Sequence, residues 1–367
     1  MRSALSVFAP LVLADLTLAR PYLSFRQADS NPFEGRQLYV NTGYSKSLEV
    51  TRQSFLDDGD VENAGKVQFI QEKVGTFVWV SNIDLLRDID VAIEGARSAQ
   101  DQTGEEQIVG LVLYNLPDRD CSAGESSGEL SLADGGLERY MAEYVGPFAE
   151  KVLAAGDLQF GIVLEPDAVG NMVTGQDMEI CRNAAEPQRE GIAYAIQKLQ
   201  ADHVHLYIDA SNGAWLGSEE HIRSAAAQFA DIVSKAGNGA RIRGFSTNVS
   251  NYIPFSDSGS INESSYVSSL APAVEAQGLP GRFIVDQSRV ALSDAGKEWC
   301  NVAAGFGQPA TTETGNDHVD SIVWVKLGGE SDGECGMEGA PVAGSWFNEY
   351  ARQLTINAHE AIQPISS

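Results

Sequence analysis

Apolar and polar positions alternate along the chain in two patterns. Short, β-branched apolar runs lie at residues 37–42 (QLYVNT), 76–82 (TFVWVSN), 108–116 (IVGLVLYNL), 160–168 (FGIVLEPDA), 203–210 (HVHLYIDA), 242–251 (IRGFSTNVSN), 282–289 (RFIVDQSR) and 321–329 (SIVWVKLGG). Between them apolar residues recur at three- and four-residue steps, the spacing of a helix face. Residues 219–236 carry Ile222, Ala225, Phe229, Ile232 and Val233 in this pattern and meet a stop at Gly237. Residues 187–199 are expected to form a helix that starts at Pro187 and buries Ile192, Ile196 and Leu199, and residues 343–359 another that buries Trp346.

Strands that alternate with helices pair in parallel through crossovers, and strands apolar on both faces belong to a sheet covered on both sides. A closed or nearly closed α/β barrel fits best. A doubly wound open sheet is the alternative, but no G-x-G-x-x-G follows the first run.

In a barrel the chemistry sits at the C-terminal ends of the strands. Those ends carry Tyr114 with Asp118 and Asp120, then Asp167, Asp209, Asn248, Asp286, and finally Lys326, Glu330 and Asp332. The set is mostly carboxylates and holds no Cys-His or Ser-His pair. Asp favours turns, so any one of them could be structural; their recurrence on successive strands points to acid and base work on an acetal, with one carboxyl protonated and another ionised. Asp167 follows the apolar IVLEP and suits the protonated role, since desolvation and a like charge both raise a carboxyl pKa. Asp120, beside Arg119 and Cys121, suits a fixed ionised neighbour. Glu165 is expected to point to the other face of its strand as a structural partner.

Charge narrows the partners. The 367 residues hold 51 acidic against 25 basic side chains, a formal charge of -26, which repels nucleic acid and anionic membrane surfaces but not a neutral polysaccharide. Arg2 and the apolar run Ala4–Ala14 read as a secretory signal over residues 1–19, with residues 20–367 as a single catalytic domain. The run is shorter than the roughly 20 residues of a membrane span. Cys121, Cys181, Cys300 and Cys335 agree with export, where an even set pairs; three connectivities are open. No spacing or histidine pattern suggests a metal, and His203 with His205 on one strand face reads as structural. No cofactor is expected.

LVLYNLPDRDCSAGESSGEL (111–130), LEPDAVGNMVTG (164–175), DASNGAWLG (209–217), RGFSTNVSNY (243–252), RFIVDQSR and VWVKLGGESDG (323–333) together resemble glycoside hydrolase family 6, the cellulases of the cellobiohydrolase II and endoglucanase type, over about residues 31–359. The resemblance implies a distorted, partly open parallel α/β barrel, TIM-like with about seven to eight strands, that hydrolyses β-1,4-glucan with inversion. It places Asp167 on the proton donor and Asp120 on the carboxylate that keeps the donor protonated and organises water. Asp332 falls on the candidate base and Asp209 on a supporting carboxylate. Tyr114, Ser126, Lys326 and Glu330 fall among residues that hold the sugar or the water chain, and Trp79, Trp215 and Trp299 on positions where an indole face supports a glucose ring; Asn248, at its strand end, and Arg119 are further candidates for substrate binding. The family pairs imply Cys121 with Cys181 and Cys300 with Cys335.

Two residues separate Asp332 from Cys335, where the tunnel-forming cellobiohydrolases of the family carry a long insertion. An open cleft and endo attack on internal bonds are therefore expected, with an exo-acting cellobiohydrolase and a silent glucan-binding protein as alternatives. Ser218 stands where the family commonly has a further Trp, and Leu327 where it has a proline. The absence of a cellulose-binding module favours soluble or amorphous glucan. The sequons at Asn248 and Asn262 are glycosylation candidates. A monomer, with β-1,4-glucan chains as its partners, completes the reading.

Overall fold

The structure is a computed structural model that describes residues 30–256, 261–292 and 298–365; the signal read in residues 1–19 lies outside them. Eight parallel strands form the sheet: β1 (Gln37–Leu38), β2 (Val78–Val80), β3 (Gln107–Leu113), β4 (Gln159–Leu164), β5 (Val204–Asp209), β6 (Gly244–Thr247), β7 (Phe283–Asp286) and β8 (Val319–Val323). From β3 to β8 they pair in chain order. β1 and β2 share one edge of β3, β1 beside Gln107 and Ile108 and β2 beside Leu111 to Leu113. The far edge comes back to β2 through the Phe77 N–H, which donates to the Trp324 carbonyl at 2.9 Å. Trp79 Nε1 adds a second link, 2.7 Å to the Val325 carbonyl. A seam held by so few bonds makes a partly open barrel, and all eight apolar runs supply its strands.

The helices are α1 (Thr42–Asp57), α2 (Val61–Lys73), α3 (Arg87–Thr103), α4 (Gly136–Arg139), α5 (Gly146–Ala154), α6 (Ala168–Thr174), α7 (Glu179–Lys198), α8 (Gly213–Leu216), α9 (Glu219–Lys235), α10 (Glu263–Glu275) and α11 (Asn348–Ile356). Strand alternation divides the core. Ile108, Val112, Tyr114 and Val163 fill the barrel with Tyr207, Ile284 and Val323. Val109, Leu111, Leu113, Ile162 and Leu164 face outward onto the helix ring. Outside the seam, α1, α2 and α11 pack over Phe306 and Trp324, whose rings stack at 5.5 Å.

Two helix expectations are corrected. α7 begins at Glu179, so Pro187 lies inside it and not at its start. Its first turn carries Cys181, disulfide-bonded to Cys121, and Gln188 donates at 3.1 Å to the Pro117 carbonyl. These ties to the loop after β3 hold a helix that the proline leaves one N–H short. Trp346 precedes α11 and does not belong to it. Gly344 at φ 82° interrupts the helical run, and Trp346 pairs as an extended bridge with Glu330, half-buried against Tyr44.

Candidate active site

The loop after β4 carries the central carboxyl. Residues two apart on a strand share a face, yet Glu165 and Asp167 diverge. Both have left-handed backbone, φ 50° and 67°, so the chain has left the strand by alternation-breaking turns. Glu165 turns outward, where it accepts from Tyr140 Oη (2.8 Å) and from the Asn115 (3.1 Å) and Leu116 (3.3 Å) N–H groups, burial pushing its carboxyl up to about 7. Tyr140 comes from the π turn Tyr140–Val145 between α4 and α5. Asp167 caps α6 and faces the cleft. Burial first, then the charges of Asp209 and Asp120, hold it well above the usual carboxylate range.

Asp209 supports it from the end of β5. Its Oδ1 accepts the N–H groups of Asp167 and Ser211, each at 3.0 Å, and its Oδ2 the Ser246 hydroxyl at 3.1 Å. Its own carboxyl is pushed by burial up to about 7. Behind it Glu263, at the start of α10, accepts the Gly213 N–H at 2.8 Å and is raised likewise to about 7.

The loop after β3 is built around Asp120 and Arg119. Asp120 Oδ2 accepts the Ser126 N–H at 2.6 Å, and the neighbouring disulfide Cys121–Cys181 ties the loop to α7. Burial raises the Asp120 carboxyl above its ordinary value, against the pull of the Ser126 N–H and Arg119. Arg119, expected among the sugar contacts, instead donates to the carbonyls of Ser126 (2.9 Å), Ser81 (2.9 Å) and Tyr114, with its guanidinium 4.0 Å over the Tyr114 ring. Its hydrogen bonds are spent on backbone.

Asp332 is of the opposite kind. Arg289 Nη1 lies 2.8 and 2.7 Å from its two oxygens, and Oδ2 also accepts Tyr252 Oη and the Asn301 N–H, both at 2.9 Å. Lys326 Nζ stands 3.8 Å away. Burial would raise this carboxyl, but Arg289 and Lys326 outweigh it and the net shift is downward. Arg289, Tyr252 and Asn301 were missed in the sequence. The available signal was Arg289 closing the apolar run RFIVDQSR, a charge where a barrel strand opens onto its catalytic face.

Tyr114, Asp120, Ser126, Asp167, Lys326 and Asp332 line one cavity of about 370 Å³ with Trp79, Trp215 and Trp299. Trp299 is exposed, and Trp215 donates from Nε1 to Thr174 Oγ1 at 2.9 Å. The Trp79 ring meets Tyr114 edge-on at 5.5 Å and has Lys326 Nζ 5.8 Å from its centre. Glu330 lines an adjoining cavity of about 460 Å³, which shares Trp79 with the first. Asn248 does not reach the cleft. It is buried, donates to the carbonyls of Ile253 (2.9 Å) and Asp286 (2.8 Å), and so clamps the strand ends, which also removes it as a glycan acceptor. Asp286 is structural too, accepting the N–H groups of Ser250, Ser288, Val325 and Lys326. Asn262 caps α10. Among the described residues, no group of three or more His, Cys, Asp or Glu is placed to hold a metal ion.

Comparison with known proteins agrees with this geometry. The model of glycosyl hydrolases family 6 matches residues 33–358. Endoglucanase-6B of Humicola insolens is 61% identical over 345 residues, 90% of this chain and 99% of that protein. A probable exoglucanase of Podospora anserina is 58% identical over 376 residues, 99% of this chain and 85% of that protein. The solved endoglucanase CEL6B from Humicola insolens superposes with a TM-score of 0.88 at 60% identity, covering 91% of this chain and all of that one. A family 6 enzyme from Coprinopsis cinerea superposes equally well, TM-score 0.88, at 39% identity over 92% of this chain.

Proposed function

The chain belongs to glycosyl hydrolases family 6, and from that premise we propose that it hydrolyses internal β-1,4-glucosidic bonds of cellulose or related β-glucans, with inversion at the anomeric carbon. The observation that carries the mechanism is a pair of carboxyls driven apart in one cavity, Asp167 upward and Asp332 downward. Environments that separate two carboxyls in this way assign the acid and the base. Asp167 gives its proton to the leaving glycosidic oxygen while a water attacks the anomeric carbon from the other face of the ring. Asp332 is the ionised acceptor for the water's proton, reached through Ser126 and a second water. Asp120 and Asp209 keep Asp167 protonated through their charge and, for Asp209, fix its backbone. Trp79, Trp215 and Trp299 support sugar rings, and Lys326 and Glu330 bind sugar hydroxyls beside Trp79.

Exo attack is the second reading. Relatives named for it are close, and one contact favours it. The carboxylate of Glu125 lies 2.6 Å from where a Cβ on Gly333 would sit, so the Asp120 and Asp332 loops touch across the cleft. Viscometry decides between the two. Rapid viscosity loss in carboxymethylcellulose with little reducing sugar supports endo attack; cellobiose release at constant viscosity overturns it. An initial β-anomer in the proton NMR spectrum of the products would overturn inversion.

Secretion as a monomer belongs to the same proposal. The export half is supported by the two disulfides, bonds that persist in oxidising compartments. No described helix is long and apolar enough to cross a membrane.

A further inference from the structure

α6 carries more than its capping acid. Counting from Asp167 in steps of four and three, one face of the helix presents Asp167, Asn171 and Thr174. Asp167 is the acid, and Thr174 anchors the Trp215 indole. Asn171, between them, is only 4% exposed and lines the main cavity, yet its Oδ1 is buried without a partner among the described residues. Unpaired buried polar atoms are rare in native folds and call for a cause. Packing explains why the amide is held at this point. The preceding Gly170 has room for no side chain: a Cβ there would meet Ser211 Oγ and lie 2.9 Å from the Trp215 ring. The helix is thus pressed against the edge of that indole, and Asn171 and Trp215 line the same cavity.

We propose that Asn171 is a specificity-determining residue that hydrogen-bonds a hydroxyl of the glucosyl unit resting on Trp215. Its amide offers a donor and an acceptor, and a half-turn about its last bond exchanges them. This assignment rests on the glucanase reading above. Asp332, Lys326 and Trp79 cluster together, so the ring that receives the attacking water lies there, and the Trp215 side of Asp167 takes the leaving group. Asn171 therefore distinguishes a sugar leaving group from one without hydroxyls.

The test compares Asn171→Leu, close in volume, with the unmodified enzyme on cellopentaose and, followed by phenol release alone, on phenyl β-cellotrioside. Phenol is a poor leaving group that still needs Asp167 but has no hydroxyl for Asn171. The expected result is a loss of kcat/KM of about tenfold on cellopentaose, the size of one hydrogen bond, with the phenyl substrate and the alkaline limb of the pH profile unchanged. Asn171→Gln should recover part of the loss. Equal losses on both substrates, a shifted alkaline limb, or no loss at all would overturn the proposal. If the unmodified enzyme cleaved neither substrate, the glucanase reading itself would fail, so the two failures are distinct.

Discussion

Arg289 Nη1 bridges both oxygens of Asp332, at 2.7 and 2.8 Å, and neither residue is appreciably exposed. A buried charge left by removing its partner costs about 3–5 kcal/mol. Arg289→Gln is therefore expected to lower the melting temperature and to raise the Asp332 pKa, moving the acid limb of the pH-rate profile to higher pH. Arg289→Lys, which keeps the charge, should move that limb less. An unmoved limb in a folded Arg289→Gln protein would show that Asp332 ionisation does not govern the rate.

Asp167→Asn removes the transferable proton and leaves the amide in the same space at the head of α6. Turnover of carboxymethylcellulose should fall by about 10²–10⁴-fold, the range of general acid catalysis, while calorimetric binding of cello-oligosaccharide persists. Turnover within a few-fold of the parent would remove Asp167 from the acid role.

The alkaline limb reports how long Asp167 keeps its proton. Asp209 is one of the charges that raise it and also accepts its N–H at 3.0 Å. In Asp209→Asn the repulsion disappears, so the Asp167 pKa falls and the alkaline limb moves to lower pH. A limb moving upward would contradict the assignment of that charge.

The strands and the acid were legible because both are written locally: β-branched runs set the sheet, and IVLEPDA places a carboxyl where an apolar strand ends. Partners formed across the fold were not. The Arg289–Asp332 pair spans 43 residues, and Tyr252 reaches Asp332 across 80. Asn248 read as a cleft residue because it follows β6, but the sign of its φ, 62°, turns the amide onto backbone carbonyls. Pro187 read as a helix start because nothing local records the disulfide that begins α7 two turns earlier.

That disulfide leads to a further expectation. Cys121 and Cys181 stand 60 residues apart and join the Asp120 loop to α7. Closing such a loop stabilises by about 4 kcal/mol in the chain-entropy account. Cys121→Ser with Cys181→Ser should lower the melting temperature by several degrees and reduce kcat through a looser Asp120, while Trp215-side binding is kept. A melting temperature within a degree of the parent would show that the loop is held by Arg119 and Ser126 alone.

Glu165, Asp209 and Glu263 are among the buried carboxyls that make stability depend on pH. Glu165, Asp209 and Glu263 are each pushed up to about 7 by burial, against about 4 in an unfolded chain. The folded state then binds more protons than the unfolded state across this window, so stability must fall as pH rises. The contribution is full below about pH 4 and is lost through about pH 7. The charge of -26 acts in the same direction by self-repulsion, but salt screens that part. Melting temperatures measured in 0.5 M salt are therefore expected still to decline between pH 5 and 8, and Glu263→Gln, which removes one titrating group while keeping an acceptor for the Gly213 N–H, should flatten the decline. If salt abolishes the decline, or Glu263→Gln leaves its slope unchanged, surface repulsion and not the buried carboxyls sets the profile.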